Sequence, residues 1–236
     1  MNEQANFATK VLTLHQRLAS VKMTLPSSYQ LVNPYSGEQK HAVDQITAAF
    51  YHKYFNDNHK RRLILGSSPA RKGTAITGVP FEDAAELQAE TGIAVAKFQI
   101  KPSSTNFLYD VMQQYGGKRK FYSDFYMSFA CPLGLSKISA KGNVINSNYY
   151  ETNVIKDRLM PFIVASLQEQ IKLGVDTSVC YCIGSGENFK VLTSINQTYH
   201  FFGSIVPLEH PRYVMQYRFK DRARYIQKYV AALNCK

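Results

Sequence analysis

The apolar run Leu63-Ile64-Leu65 empties into a Gly- and Pro-containing segment, GSSPARKGTAITGVPF, that extends from Gly66 to Phe81 with almost no helix-forming pattern. A short apolar run bounded by turn residues reads as a buried strand. A strand that opens into a long, structured loop usually feeds a site, because irregular segments at strand ends carry function while the sheet holds them. The other strands and helices of the chain therefore matter mainly for what they bring to the end of this strand.

Around it, apolar residues at Phe7, Val11, Leu14, Leu18 and Val21 recur at helical spacing, and a second helical stretch covers 39–55. Between these helices, 25–37 contains Pro26, Ser27, Ser28, Asn33, Pro34 and Ser36 and reads as an exposed loop. Strands are expected at 61–66, 125–131, 178–183 and 203–208. Helices are expected at 82–90, 105–115 (closed by Gly116-Gly117), 154–173 and 188–200, with a last one carrying Tyr225, Ile226, Tyr229, Val230 and Leu233 on its apolar face. Strands separated by helices rather than tight hairpins pair in parallel, with helices on both sheet faces. The fold class is α/β: a three-layer α/β/α sandwich around a central four-stranded, mainly parallel sheet. One domain over 1–236 is expected, with N-terminal helices (4–55) packed on an α/β core (61–236).

In such sheets ligands bind outside the carboxyl ends of the strands, so the segments beginning at Gly66, Cys131, Gly184 and Glu209 should converge. The formal charge of +11 favours a polyanionic partner. Of the basic residues, Arg71, Lys72 and Arg212 sit at those strand ends and are the best placed for phosphate contact. Lys60-Arg61-Arg62, Lys118-Arg119-Lys120 and the remaining basic residues up to Lys228 read as solvated faces. Gly184-Ser185-Gly186, at a strand-to-helix turn, could hold a phosphate through backbone N–H groups, or be an ordinary tight turn. The four cysteines, Cys131, Cys180, Cys182 and Cys235, are too irregularly spaced for a zinc ribbon or an iron-sulfur cluster and read as buried free thiols. No metal site and no cofactor are expected. No stretch is apolar for the ~18 residues that a membrane span needs, and the N-terminus is polar. A cytoplasmic monomer is the expectation.

His210, the residue after Glu209, sits between that strand end and Pro211-Arg212. Read alone, it is either a helix cap or a functional imidazole. The Gly66–Pro69 turn, the Thr77-Gly78-Val79-Pro80-Phe81 element and the His210-Pro211 pair together resemble motifs of uracil-DNA glycosylases, above all the single-strand-selective monofunctional type. Met127-Ser128-Phe129-Ala130-Cys131-Pro132-Leu133 resembles the family segment in which an Asn before Cys-Pro-Leu reads the base. Asn148-Tyr149-Tyr150 and the run from Pro207 to Arg218 resemble a bacterial branch of the same family.

The resemblance implies a metal-free, monofunctional DNA glycosylase acting on uracil or another deaminated base in DNA, with these roles. His210 stabilises the departing base, and Ser68, standing where the family has a water-orienting Asn, places the water with the loop backbone. Gly66, Ser67, Phe81, Ser128 and Phe129 form the base site, with Phe81 stacking on the base. Arg71, Lys72, Ser185, Arg212, Tyr213 and Met215 contact DNA. Two alternatives stay open: a nucleic-acid-binding homologue that lost the reaction, and a hydrolase of free nucleosides or other small substrates.

Overall fold

The computed structural model describes residues 5–71, 73–95 and 106–235; Lys72 and the expected helix start at 105 lie outside them. The chain runs α1 (Phe7–Ala19), β1 (Tyr29–Val32), α2 (Lys40–Tyr54), β2 (Arg62–Gly66), a short α3 (Thr74–Thr77), α4 (Ala84–Thr91), α5 (Asn106–Tyr115), α6 (Lys118–Asp124) and β3 (Phe125–Phe129). It continues through β4 (Gly134–Ile138), β5 (Val144–Ser147), α7 (Asn153–Ile171), β6 (Asp176–Ile183), α8 (Glu187–Tyr199), β7 (Ser204–Leu208), α9 (Pro211–Tyr217) and α10 (Arg222–Asn234).

Four strands form a wholly parallel sheet in the order β3-β2-β6-β7. Leu63 pairs with Tyr126 and Cys180, and Leu65 with Ser128 and Cys182, so that Gly66 and Phe129 end their strands side by side. Successive side chains on a strand face opposite ways, and the two helical layers follow from that alternation. Tyr126 meets Phe7 of α1 edge-on at 5.3 Å, whereas Phe125 meets Tyr115 of α5 at 5.3 Å on the other face. α7 joins the α1 side, where Glu169 pairs with Arg17; α10 packs on α5 through Phe107 and Tyr229, 5.1 Å apart. The three-layer architecture is as the sequence indicates.

Three expectations are corrected. The stretch read as an exposed loop contains β1, which pairs antiparallel with β4; β4 pairs in turn with β5, giving a separate three-stranded sheet. Of the basic triplet read as a solvated face, Lys60 is exposed, but Arg61 is buried and Arg62 half-buried. Arg61 is 0% exposed, its guanidinium lying 4.9 Å from the ring of Phe7 and 4.8 Å from that of Phe55. It donates to the carbonyls of Tyr122 (2.6 Å) and His59 (3.1 Å) and to the Asp57 carboxylate (2.8 Å). Arg62 lies over Phe125 and donates to the Tyr181 hydroxyl and the Leu233 carbonyl, tying β2 to α10. Cys131, Cys180 and Cys182 are buried free thiols, but Cys235, just past α10, is exposed.

Candidate active site

The segment after β2 is held from three sides. The Ala130 and Cys131 amides donate to the carbonyls of Gly66 and Ser67, extending the β2–β3 ladder past the strand ends. Gly66 must be glycine: a Cβ there would lie 2.6 Å from Cζ of Phe81 and 2.9 Å from Cδ1 of Phe129. Those two rings stack with centroids 4.9 Å apart, so Phe129 backs one face of Phe81, and the Phe81 ring remains half-buried. Phe81 adopts a φ of +63°, in the left-handed region that a bulky residue rarely occupies. The turn leading to it is cross-tied, with the Thr77 hydroxyl donating to the Glu82 carbonyl (2.9 Å) and accepting from the Val79 amide (3.2 Å). On the helical side, Tyr35 donates to the Gly78 carbonyl, and His15 stacks on Tyr35 at 4.2 Å.

At the end of β7, the Leu208 carbonyl accepts from the Gly184 amide, and the Glu209 carbonyl accepts from the Tyr229 hydroxyl. His210 then caps α9, with Pro211 at the first helical position, where its missing N–H costs nothing. Its Nδ1 accepts from the Arg212 amide at 3.1 Å, which in the neutral ring puts the proton on Nε2. Surrounding protein and, secondarily, the Arg212 charge hold the His210 pKa below the ordinary histidine range. His210 as a residue is nevertheless exposed. The site thus offers a neutral N–H donor at one strand end and a rigid aromatic face beside another.

The sequence model of the uracil DNA glycosylase superfamily matches residues 52–234. The chain belongs to the uracil-DNA glycosylase superfamily. Its structure is similar to the crystal structure of wild-type Pedobacter heparinus SMUG2, with a TM-score of 0.91 and 39% identity over 97% of each chain. No curated protein matches it by sequence comparison.

Within this glycosylase framework the other expected residues separate. Ser67 and Ser68 are half-buried in the loop beside the aromatic stack. Ser128 is one residue from Phe129 on β3 and so faces the opposite side of the sheet, buried and hydrogen-bonded with Tyr126 beneath α1 and α2. It is not brought together with Phe81. Arg71 folds onto β5: its amide donates to Asn146 Oδ1 and its guanidinium to the Val144 carbonyl, both at 2.9 Å. Lys72 lies outside the described residues. Ser185 is exposed at the end of β6, and the first turn of α8 already carries Glu187, paired with Lys190. Arg212, Tyr213 and Met215 lie on α9, which presents Tyr213 and Tyr217, 39% and 66% exposed, with ring centroids 6.0 Å apart.

Two residues not assigned a role from the sequence touch the loop. Asn148 Oδ1 accepts from the Ser67 hydroxyl at 3.3 Å, and Tyr150 is also hydrogen-bonded with Ser67. Their signal in the sequence was the Asn148-Tyr149-Tyr150 run, whose position relative to the loop depends on the unanticipated β4–β5 hairpin.

Glu82, directly after Phe81, is buried at 3% exposure and accepts from Tyr109 at 2.7 Å and from Tyr122 at 3.3 Å. Burial pushes its pKa up to about 8; Tyr109 opposes this, and neighbouring Glu86 adds to it. The folded state therefore holds a proton that the unfolded state, with a pKa near 4.5, releases first. Stability should fall as pH rises from 4.5 to 8, by up to ~1.4 kcal/mol per unit. Glu82→Gln keeps an acceptor for both tyrosines and should flatten this decline, so that its unfolding temperature gains on the wild type toward pH 8. Parallel pH profiles for the two proteins would show that Glu82 is ionised in the fold. His15, whose pKa burial lowers to about 3, acts from the acid side: its contribution is lost as pH falls below 6.5.

Proposed function

We propose that the protein is a monofunctional DNA glycosylase that hydrolyses the N-glycosidic bond of uracil or another deaminated base in DNA. The observation that carries this reading is His210, whose capping hydrogen bond leaves a neutral Nε2–H at the end of β7. As the bond between C1′ and the base nitrogen breaks, its electron pair passes to the base and the sugar becomes oxocarbenium-like. A fixed donor aimed at the base then stabilises the transition state more than the ground state. Water adds to C1′, one of its protons is released, and an abasic site remains. Ser68 and the loop backbone place that water, and the outer face of Phe81 receives the extruded base. Stacking of ~1–3 kcal/mol partly offsets the cost of extruding it. The charge of +11 and α9, which carries Arg212 beside the exposed Tyr213 and Tyr217, suit the DNA backbone and the gap left in the helix. The protein would act as a monomer in the cytoplasm, where bacterial DNA is accessible.

The test is base release from single- and double-stranded oligonucleotides carrying a panel of deaminated bases, with and without EDTA. Release unaffected by chelation is expected, because the chemistry described uses only side chains and backbone. Ser68→Ala should slow it, whereas Ser68→Asn, which supplies a fixed amide, should keep or raise the rate. An inert wild type that Ser68→Asn does not rescue would replace the enzyme with the nucleic-acid-binding homologue.

A further inference from the structure

Recognition of a deaminated base turns on one exchange. Deamination converts an exocyclic amine, a hydrogen-bond donor, into a carbonyl, an acceptor. A site selective for such bases needs a fixed donor where the parent base would present its own N–H. The superfamily pattern expects an Asn shortly before Cys131-Pro132-Leu133, but Ser128 there faces the far side of the sheet and Phe129 is apolar. An amide nonetheless reaches the loop from another element.

We propose that Asn148 is the specificity-determining residue of this site, presenting its amide N–H group to the carbonyl oxygen that distinguishes a deaminated base from its parent. The inference rests on the glycosylase reading and names how its base is chosen.

The hydrogen bonds fix which end of the amide is available. Ser67 has one hydroxyl proton, and Asn148 Oδ1 can only accept, so that proton lies between them. Tyr150 is hydrogen-bonded with Ser67 as well, on the same side of the loop. With Oδ1 turned to the Ser67 hydroxyl, Nδ2 is the end of the Asn148 amide that faces away from Ser67. The segment behind it is anchored. The Asn148 carbonyl accepts from the Glu151 amide (3.1 Å), buried Tyr149 donates to Asn188 Oδ1 (2.7 Å), and Asn188 donates to the Ile183 carbonyl at the end of β6 (2.9 Å). The Asn148 side chain itself is exposed, so ligand can reach it and substitution leaves the core untouched.

The experiment compares wild type, Asn148→Ala, Asn148→Asp and Ser67→Ala in single-turnover release of uracil and cytosine. Binding to oligonucleotides carrying either base on a cleavage-resistant 2′-fluorinated sugar is measured in parallel. Asn148→Ala should slow uracil release at least tenfold at an unchanged unfolding temperature. Asn148→Asp, an acceptor in place of a donor, should also narrow the preference for uracil over cytosine. Ser67→Ala, which frees the amide to flip, should weaken that preference with less loss of rate. An active wild type whose Asn148→Ala variant releases uracil within twofold of its rate overturns this assignment and leaves the glycosylase reading standing. So does a loss equal for both bases that accompanies a lowered unfolding temperature. If wild type is inert, the glycosylase reading fails, and binding decides the assignment: a uracil preference erased in Asn148→Ala supports it, and no preference overturns it.

Discussion

Replacing His210 with alanine is expected to slow single-turnover base release by about a hundredfold or more while leaving DNA affinity nearly unchanged. One preorganised donor to a developing anion is typically worth that much, and it acts on the transition state rather than on the bound ground state. The imidazole is fixed in position, since Nδ1 is occupied by the Arg212 amide, Pro211 sets the start of α9, and the Glu209 carbonyl is anchored by Tyr229. Because its pKa lies below the ordinary histidine range, the ring stays neutral at neutral pH, and the rate should not rise on mild acidification. Loss of a cap costs ~1 kcal/mol, which would not unfold a protein of this size. A fall in the unfolding midpoint large enough to explain lost activity would make His210 a structural cap.

The largest effect on stability is expected at Arg61. Arg61→Leu fills much of the space between Phe7 and Phe55, yet leaves the Tyr122 and His59 carbonyls and the Asp57 carboxylate without their donor. Removing one member of a buried ion pair typically costs about 3–5 kcal/mol. Asp57 is a third exposed and can recover some hydration, so about 3 kcal/mol is the expectation. Arg61→Lys should recover little, since an ammonium cannot span three acceptors in the plane between two rings. Urea unfolding with fluorescence detection measures both, and a loss below ~1 kcal/mol for Arg61→Leu would mean that the carbonyls find other partners.

The parallel sheet was legible because its strands are short apolar runs ended by turn residues, as Leu63 to Gly66 and Val179 to Gly184 illustrate. The antiparallel sheet was not. Tyr29-Gln30-Leu31-Val32 spans four residues after a Pro-Ser-Ser sequence, and Val144-Ile145-Asn146-Ser147 is largely exposed, so neither carries a burial pattern of its own. Arg61 was misread for a related reason. A basic triplet signals solvent only if its side chains point there, and the aromatic sandwich is assembled from α1 and the end of α2, outside the triplet's own stretch of sequence. At the site, the loop and His210 were legible from their spacing at strand ends. The opposed directions of Ser128 and Phe129 needed the strand register, and the approach of Asn148 to Ser67 needed the hairpin.

Phe81 sets two demands against each other. Its left-handed backbone costs ~1–3 kcal/mol for a bulky residue and almost nothing for glycine, so the conformation that aims the ring is the one the chain would shed most readily. Phe81→Gly should therefore be more stable than Phe81→Ala, although both lose the aromatic face; equal stabilities would place the strain elsewhere in the turn. On the proposed role, the ring at position 81 is held ready for the base at the expense of backbone strain, a trade that its packing on Phe129 offsets only in part.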